Sequence, residues 1–245
     1  MNRTAQLVCA WTMPLFVILF GAGFYVAAGW IPPPSPSMSP AQVAVMYRDH
    51  TTGIRIGMVL AMYAAVLAVP WTAAVATQFK RPGAGSPALA ATQVAGVAMA
   101  ACSGLVSMTC WSVAAFRPDY YSPESLTLLN DVGWILFLWT IGSLSLWEAS
   151  LGFAILLDKN SDPAFPRWSG YCCFLVTTLN YPTAITIFFH RGVFAWNGVF
   201  VFWTSIGAFF VLMTLFQVLL LRSIGRERRA ERELQAHDER LPTNV

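Results

Sequence analysis

Glu148 stands in the run SLWEASLG, residues 145–152, inside a stretch from Val132 to Leu157 that otherwise reads as lipid-soluble helix. A charge at the centre of a bilayer helix costs about 2.5–3.5 kcal/mol on insertion scales, so such residues face the bundle interior or a wet cavity. Counted inward from the ends of the apolar runs, Glu148 shares its level with Thr72, Gln93, Thr177, Thr178, Asn180 and Thr214, and no Lys or Arg lies there. With no cation at hand, desolvation favours the neutral carboxyl, whose OH can donate to a neighbouring carbonyl or amide. Two roles fit this pattern. One is a structural hydrogen bond between helices; the other is a proton- or ligand-binding site formed by Glu148, Gln93, Asn180 and Tyr181. A shifted span boundary would instead let the carboxyl reach the cytoplasmic interface.

Asn180 and Tyr181 belong to TTLNYPTAI, residues 177–185. Pro182 has no amide proton and frees the carbonyl of Thr178, so a kink with polar groups at the break is expected beside the buried acid. Kinks of this kind form pockets, and they also bend inert bundles.

Other chemistry is thinly supplied. Of the three histidines, His237 lies near the C-terminal end, while His50 and His190 fall at the outer surface near Asp49, Asp119 and Asp131. No helix interior offers facing imidazoles for a haem, and an outer metal site from those residues lacks tight ligand spacing. Nucleophile elbow, P-loop, zincin and dinucleotide-binding patterns are all missing, so the sequence names no catalytic residue, no metal ligand and no cofactor. An integral-membrane enzyme would want clustered histidines or carboxylates, and the chain has none. Cys9, Cys102, Cys110, Cys172 and Cys173 fall inside apolar runs without a CxxC pair, as small packing residues do.

The elements that must position Glu148 follow from composition. Of 245 residues, 56% are hydrophobic and 11% charged, against roughly 25% charged in soluble domains. Crossing a bilayer takes about 20 apolar residues. Six runs are long enough: Leu7 to Gly29, Ile54 to Phe79, Pro87 to Phe116, Val132 to Leu157, Trp168 to Phe189 and Phe194 to Leu221. The sequence therefore predicts an all-α polytopic membrane protein, a six-transmembrane-helix bundle spanning 1–225, with a charged cytoplasmic tail at 226–245. The connections are too short for a separate soluble domain. The first run exceeds the h-region of a signal peptide and reads as a retained helix.

An N-terminus placed inside puts eleven of the fifteen Lys and Arg residues in the cytoplasm and leaves Arg48, Arg55, Arg117 and Arg191 outside. By the positive-inside rule both termini are cytoplasmic. The net charge of +3 comes largely from the tail arginines, which suits anionic lipid and gives no nucleic-acid footprint. The tail, RSIGRERRAERELQAHDERL, mixes signs at helical spacing and reads as a solvated helical extension.

The third run carries Gln93, Gly96, Ala100, Ser103, Ser107, Cys110 and Ala114 at alternating spacings of three and four, a seam of small and polar residues. Such seams let helix backbones approach closely in lipid. A shorter version, Gly142, Ser145, Ala149 and Gly152, marks the fourth run, with Glu148 on its flank. The third and fourth helices are therefore expected to be central and packed antiparallel. In the longest outer loop, Ser39 should cap a short helix from Ala41 to Arg48, with Pro40 in its first turn. Val43, Met46 and Tyr47 share one face, which suits a helix lying on the membrane surface or on the bundle mouth. Asn130 and Asp131 are placed to cap the fourth helix, Arg167 and Trp168 to start the fifth, and the inner segment KRPGAGSP, residues 80–87, to turn flexibly.

Taken together, GWIPPPSPSMS, RIGM, LLNDVGWILF, FPRWSGY and FAWNG are distinctive. Over about Gly29 to Gly198 the chain resembles a family of hypothetical bacterial six-helix integral membrane proteins. That resemblance implies multi-pass residence in a bacterial inner membrane and carries no catalytic residue. The leading expectation is a protein that binds or transports a small apolar or amphipathic compound through a cavity near Glu148. The alternative is a non-catalytic partner or assembly subunit of a membrane enzyme or uptake complex. The partners this implies are membrane lipid, a small apolar ligand, and a membrane protein or second copy of the chain.

Overall fold

A computed structural model of the chain describes residues 3–80 and 86–238. Within them the protein is all-helical, with six helical stretches long and apolar enough to cross a membrane. The first is α1, Arg3–Gly21, which continues into a π-helical turn at Ala22–Ala27. A short helix α2, Pro40–Asp49, leads to the second span, α3, Thr51–Thr77. The third is α4, Pro87–Phe116. Two helices, α5, Pro123–Leu138, and α6, Ile141–Leu157, make the fourth. The fifth pairs α7, Arg167–Asn180, with a 3₁₀ helix at Tyr181–Phe188. The sixth opens with a π-helical turn at Val199–Trp203 and runs on as α8, Thr204–Asp238. Arg81 and most of the turn after Lys80, like the tail beyond Asp238, lie outside the described residues.

The spans form a ring. Helix α1 packs on α3, α3 on α4, α4 on α5 and α6, α6 on α7, α7 on α8, and α8 back on α1. The spans are buried to a similar degree, 33–39% of the residues in each apolar window. The expectation that the third and fourth helices are central is therefore corrected: α4 is one stave among six. Its seam does hold the ring together, because a Cβ on Gly96 would come within 2.9 Å of the Ser143 carbonyl oxygen, and Ser103 Oγ donates to the Leu136 carbonyl at 3.0 Å. The α1–α3 joint is closer still. A Cβ on either Gly23 or Gly57 would sit 2.6 Å from the other's carbonyl oxygen, a contact only backbone can make. On α6, Gly152 at the end of the fourth span's small-residue seam faces Gly170 of α7, while α6 also packs on α4.

Local expectations fare unevenly. Ser39 caps α2 as expected, in a capping box with Gln42: Gln42 N donates to Ser39 Oγ at 3.4 Å, and Ser39 N to Gln42 Oε1 at 2.8 Å. Val43 and Tyr47 are buried, so α2 seals the bundle mouth and does not float on the membrane surface. Asn130 and Asp131 do not cap the fourth span. It starts at Pro123 under a Ser122 cap, which leaves both residues inside α5. The last span continues into the charged segment, since α8 runs unbroken past residue 226. Arg226 binds Asp162 at 2.7 Å and the carbonyls of Pro163 and Ala164, pinning α8 to the loop after α6. Arg55 similarly serves the C-terminus of α4, donating to the Ala115 and Phe116 carbonyls at 2.8 and 2.7 Å.

Candidate functional site

Glu148 is fully buried on α6 and faces α7. Thr177 Oγ1 lies 2.8 Å from its Oε2, and Asn180 Nδ2 donates to its Oε1 at 3.1 Å. Thr177 Oγ1 also lies 3.0 Å from the Cys173 carbonyl one turn back. A hydroxyl has a single hydrogen and cannot fully serve both acceptors. The arrangement closes when the carboxyl carries its own hydrogen and donates to Thr177 Oγ1, which then donates to Cys173. Each oxygen of a neutral acid is thereby used, without a cation.

Asn180 ends α7. The Tyr181 amide already turns back to the Thr178 carbonyl in a tighter turn, and Pro182 follows in the first turn of the 3₁₀ helix. The proline-freed carbonyl is thus satisfied locally, and the polar side chain at the break is turned inward. Asn180 is 1% exposed; its Nδ2 is committed to Glu148, whereas its Oδ1 has no hydrogen-bond partner within the protein.

Asn180 also forms part of the wall of a cavity of about 130 Å³ on the ring axis. Every span contributes. Phe16 and Phe20 come from α1, Ala61, Ala65 and Ala68 from α3, Val97, Ala100, Ala101, Gly104 and Met108 from α4. Leu144 of α6 and Phe209 and Phe210 of α8 add to it, and the rest comes from where helices break. Phe137, Leu138, Thr140 and Ile141 flank the interruption between α5 and α6, Asn180 and Thr183 the change from α-helix to 3₁₀, and Ser205 and Ile206 the change from π-helix to α8. Irregular backbone at membrane depth is tolerated where it is buried in protein or lines a cavity.

Polar atoms are confined to one corner of this wall. Thr183 Oγ1 and Ser205 Oγ are 2.9 Å apart and buried, next to Asn180. Thr140 spends its hydrogen on the Phe137 carbonyl at 2.7 Å.

Of the residues read from sequence as one site, the structure joins Glu148 and Asn180. Tyr181 is removed from it: the side chain is 60% exposed on the outer surface of the ring, one position past the residue that points inward. Gln93 is fully buried on α4, but neither atom of its amide meets Glu148 or any other partner. It sits among other buried polar groups on this part of the bundle. Trp71 Nε1 donates to Gln217 Oε1 at 2.7 Å, and the Trp71 and Trp147 rings are 6.2 Å apart. Thr177 was legible by depth; Thr183 and Ser205 were not, because neither belongs to a seam. Among the described residues no three His, Cys, Asp or Glu are grouped to hold a metal ion.

Comparison of the chain with protein-family models, curated proteins and solved structures found no match.

Proposed function

We propose that this multi-pass membrane protein binds a small apolar or amphipathic compound in the axial cavity and moves it across the membrane. The observation that carries this reading is the convergence of three helix interruptions, at 139–140, 180–181 and 203–204, on one apolar cavity. Broken spans meeting near the bilayer midplane are where transporters place substrate, since each break can flex while the half-helices stay rigid. Five Phe side chains, rows of alanine and one glycine give the cavity walls that favour an apolar body. Glu148 is its proton-exchanging neighbour, connected through the Asn180 amide. The family resemblance and the distribution of basic residues support a bacterial inner membrane with both termini in the cytoplasm.

Gly104 provides the test, because a Cβ there meets only the Ala65 methyl, at 3.9 Å, so a larger side chain grows into the cavity without striking backbone. Fluorobenzene is of the size this volume takes, an apolar cavity of about 150 Å³ being large enough for benzene. Its binding to the protein in lipid nanodiscs, followed by ¹⁹F NMR against empty discs, should be saturable. Binding should vanish in Gly104→Leu. Equal signals from protein, variant and empty discs would overturn the reading.

A further inference from the structure

We infer that the guest carries one neutral head group that both accepts and donates a hydrogen bond, a hydroxyl on a compact ring or short aliphatic body, seated at Asn180, Thr183 and Ser205. This rests on the cavity being a binding site and specifies the chemistry it selects. The polar corner has a defined inventory. Asn180 offers Oδ1, a buried acceptor with no partner, because the Nδ2 of the same amide is held by Glu148. A buried amide oxygen left bare forfeits hydrogen-bond free energy, and a guest donor restores it. Thr183 and Ser205 together hold two hydroxyl hydrogens but share one hydrogen bond, and neither bonds back to a carbonyl of its own helix as Thr178 does to Phe174. One hydrogen of the pair is therefore free to be donated.

One acceptor and one donor side by side match a single hydroxyl, which gives one hydrogen and accepts another. They match a hydrocarbon poorly, since it would leave both groups dry. They also reject ions. The wall holds no Lys, Arg, Asp or Glu, and Glu148 stands behind Asn180 instead of lining the cavity. A carboxylate, phosphate or ammonium head would lose its hydration without a counter-charge. The volume of about 130 Å³ limits the body to about six carbons, the scale of phenol or cyclohexanol.

The experiment compares 4-fluorophenol with fluorobenzene by ¹⁹F NMR on the full chain in nanodiscs, each corrected for partition into empty discs, with 4-fluorobenzoate as the charged probe. 4-Fluorophenol should bind at least tenfold more tightly than fluorobenzene, and 4-fluorobenzoate should not saturate. Ser205→Ala and Asn180→Leu should each erase most of that preference while fluorobenzene binding persists. Ser205→Ala decides alone if Asn180→Leu does not fold. Equal affinity for phenol and benzene, or a preference that survives Ser205→Ala, overturns the head-group assignment and leaves the cavity reading standing. Saturable benzoate binding overturns its neutrality. Failure of every probe to bind overturns both.

Discussion

The two halves of the ring are built on opposite terms. At the end closed by α2, aromatic rings fill the axis. Trp111 lies 4.9 Å from Trp134 and 5.0 Å from Trp30, Phe24 packs edge-on to Trp111 at 5.7 Å, and Trp196 stacks on Trp134 at 6.2 Å. Three of their polar groups are tied to neighbours, Trp111 Nε1 donating to the Asn130 carbonyl, Tyr47 Oη to Asn130 Oδ1 and Trp196 Nε1 to the Pro34 carbonyl, while the indole N–H groups of Trp30 and Trp134 have no partner within the protein. A turn or two deeper, alanine and glycine of α3 and α4 face Phe16, Phe20, Phe137, Phe209 and Phe210 around a half-open cavity, and amide atoms are left unpaired. A membrane bundle gains no hydrophobic free energy from joining its helices, so packing and hydrogen bonds must hold it. The α2 end supplies the densest packing, which lets the middle of the bundle hold a cavity beside its own hydrogen bonds.

The comparison is broken most directly by removing the aromatic plug. Trp111→Ala should cost about 3–5 kcal/mol, because a fully buried indole leaves a large void among rings that cannot collapse. Thermal unfolding in detergent would show it as the largest loss among single substitutions, and a loss of less than about 1 kcal/mol would mean that this end does not carry the fold. Next in size is Glu148. Replacement by Leu strands the Asn180 Nδ2 donor and takes the incoming hydrogen bond from Thr177 Oγ1 in a buried site, and should cost about 1–3 kcal/mol. Glu148→Gln keeps an oxygen for Asn180 and a donor for Thr177, so it should stay within about 0.5 kcal/mol of wild type. A Gln variant as damaged as the Leu variant would show that the charged carboxylate is what the helices hold.

How far these contrasts could be read in advance differs between the halves. Six spans follow from run length alone, and Ser39-Pro40 announces its helix by capping chemistry. Glu148 with Thr177 and Asn180 follows from counting depth, because a buried acid must find partners at its own level. The start of the fourth span is hidden because Asn130 and Asp131 interrupt the apolar run, and only the tertiary contacts of Asn130 with Tyr47 and Trp111 show why it can be buried there, beside a half-buried Asp131. The break after Leu138 has no proline to mark it, and the π-helical turns at 22–27 and 199–203 have no local signature at all. Tyr181 was grouped with Asn180 because sequence adjacency conceals a helical step of about 100°, enough to turn one side chain inward and the next to lipid.

Tyr47 sharpens the contrast through pH. Burial lifts its phenol well above the ordinary value, and the nearby Asp131 carboxylate pushes in the same direction. The folded state therefore keeps a proton that the unfolded chain releases near pH 10. Stability from this group is complete below that pH and is lost as pH rises further, since the unfolded state then binds fewer protons. Tyr47→Phe should cost about 1 kcal/mol at neutral pH for the 3.3 Å hydrogen bond to Asn130. It should also flatten the decline above pH 10, and an unchanged alkaline slope in the variant would place that titration elsewhere.

The smallest expected effect on stability is the most informative about the cavity. Gly104→Leu adds a side chain where the protein has space, and replaces the helix former with the greatest backbone entropy cost by one of the best. A protein selected for stability alone would have filled such a gap. The variant should unfold at the wild-type temperature or a few degrees above it, while it loses the guest. Stabilisation with loss of binding would show that the ring maintains its cavity against its own packing preference. A clear destabilisation would show instead that the alanine and glycine wall is already in contact, and that the aromatic end and the middle of the bundle are packed alike.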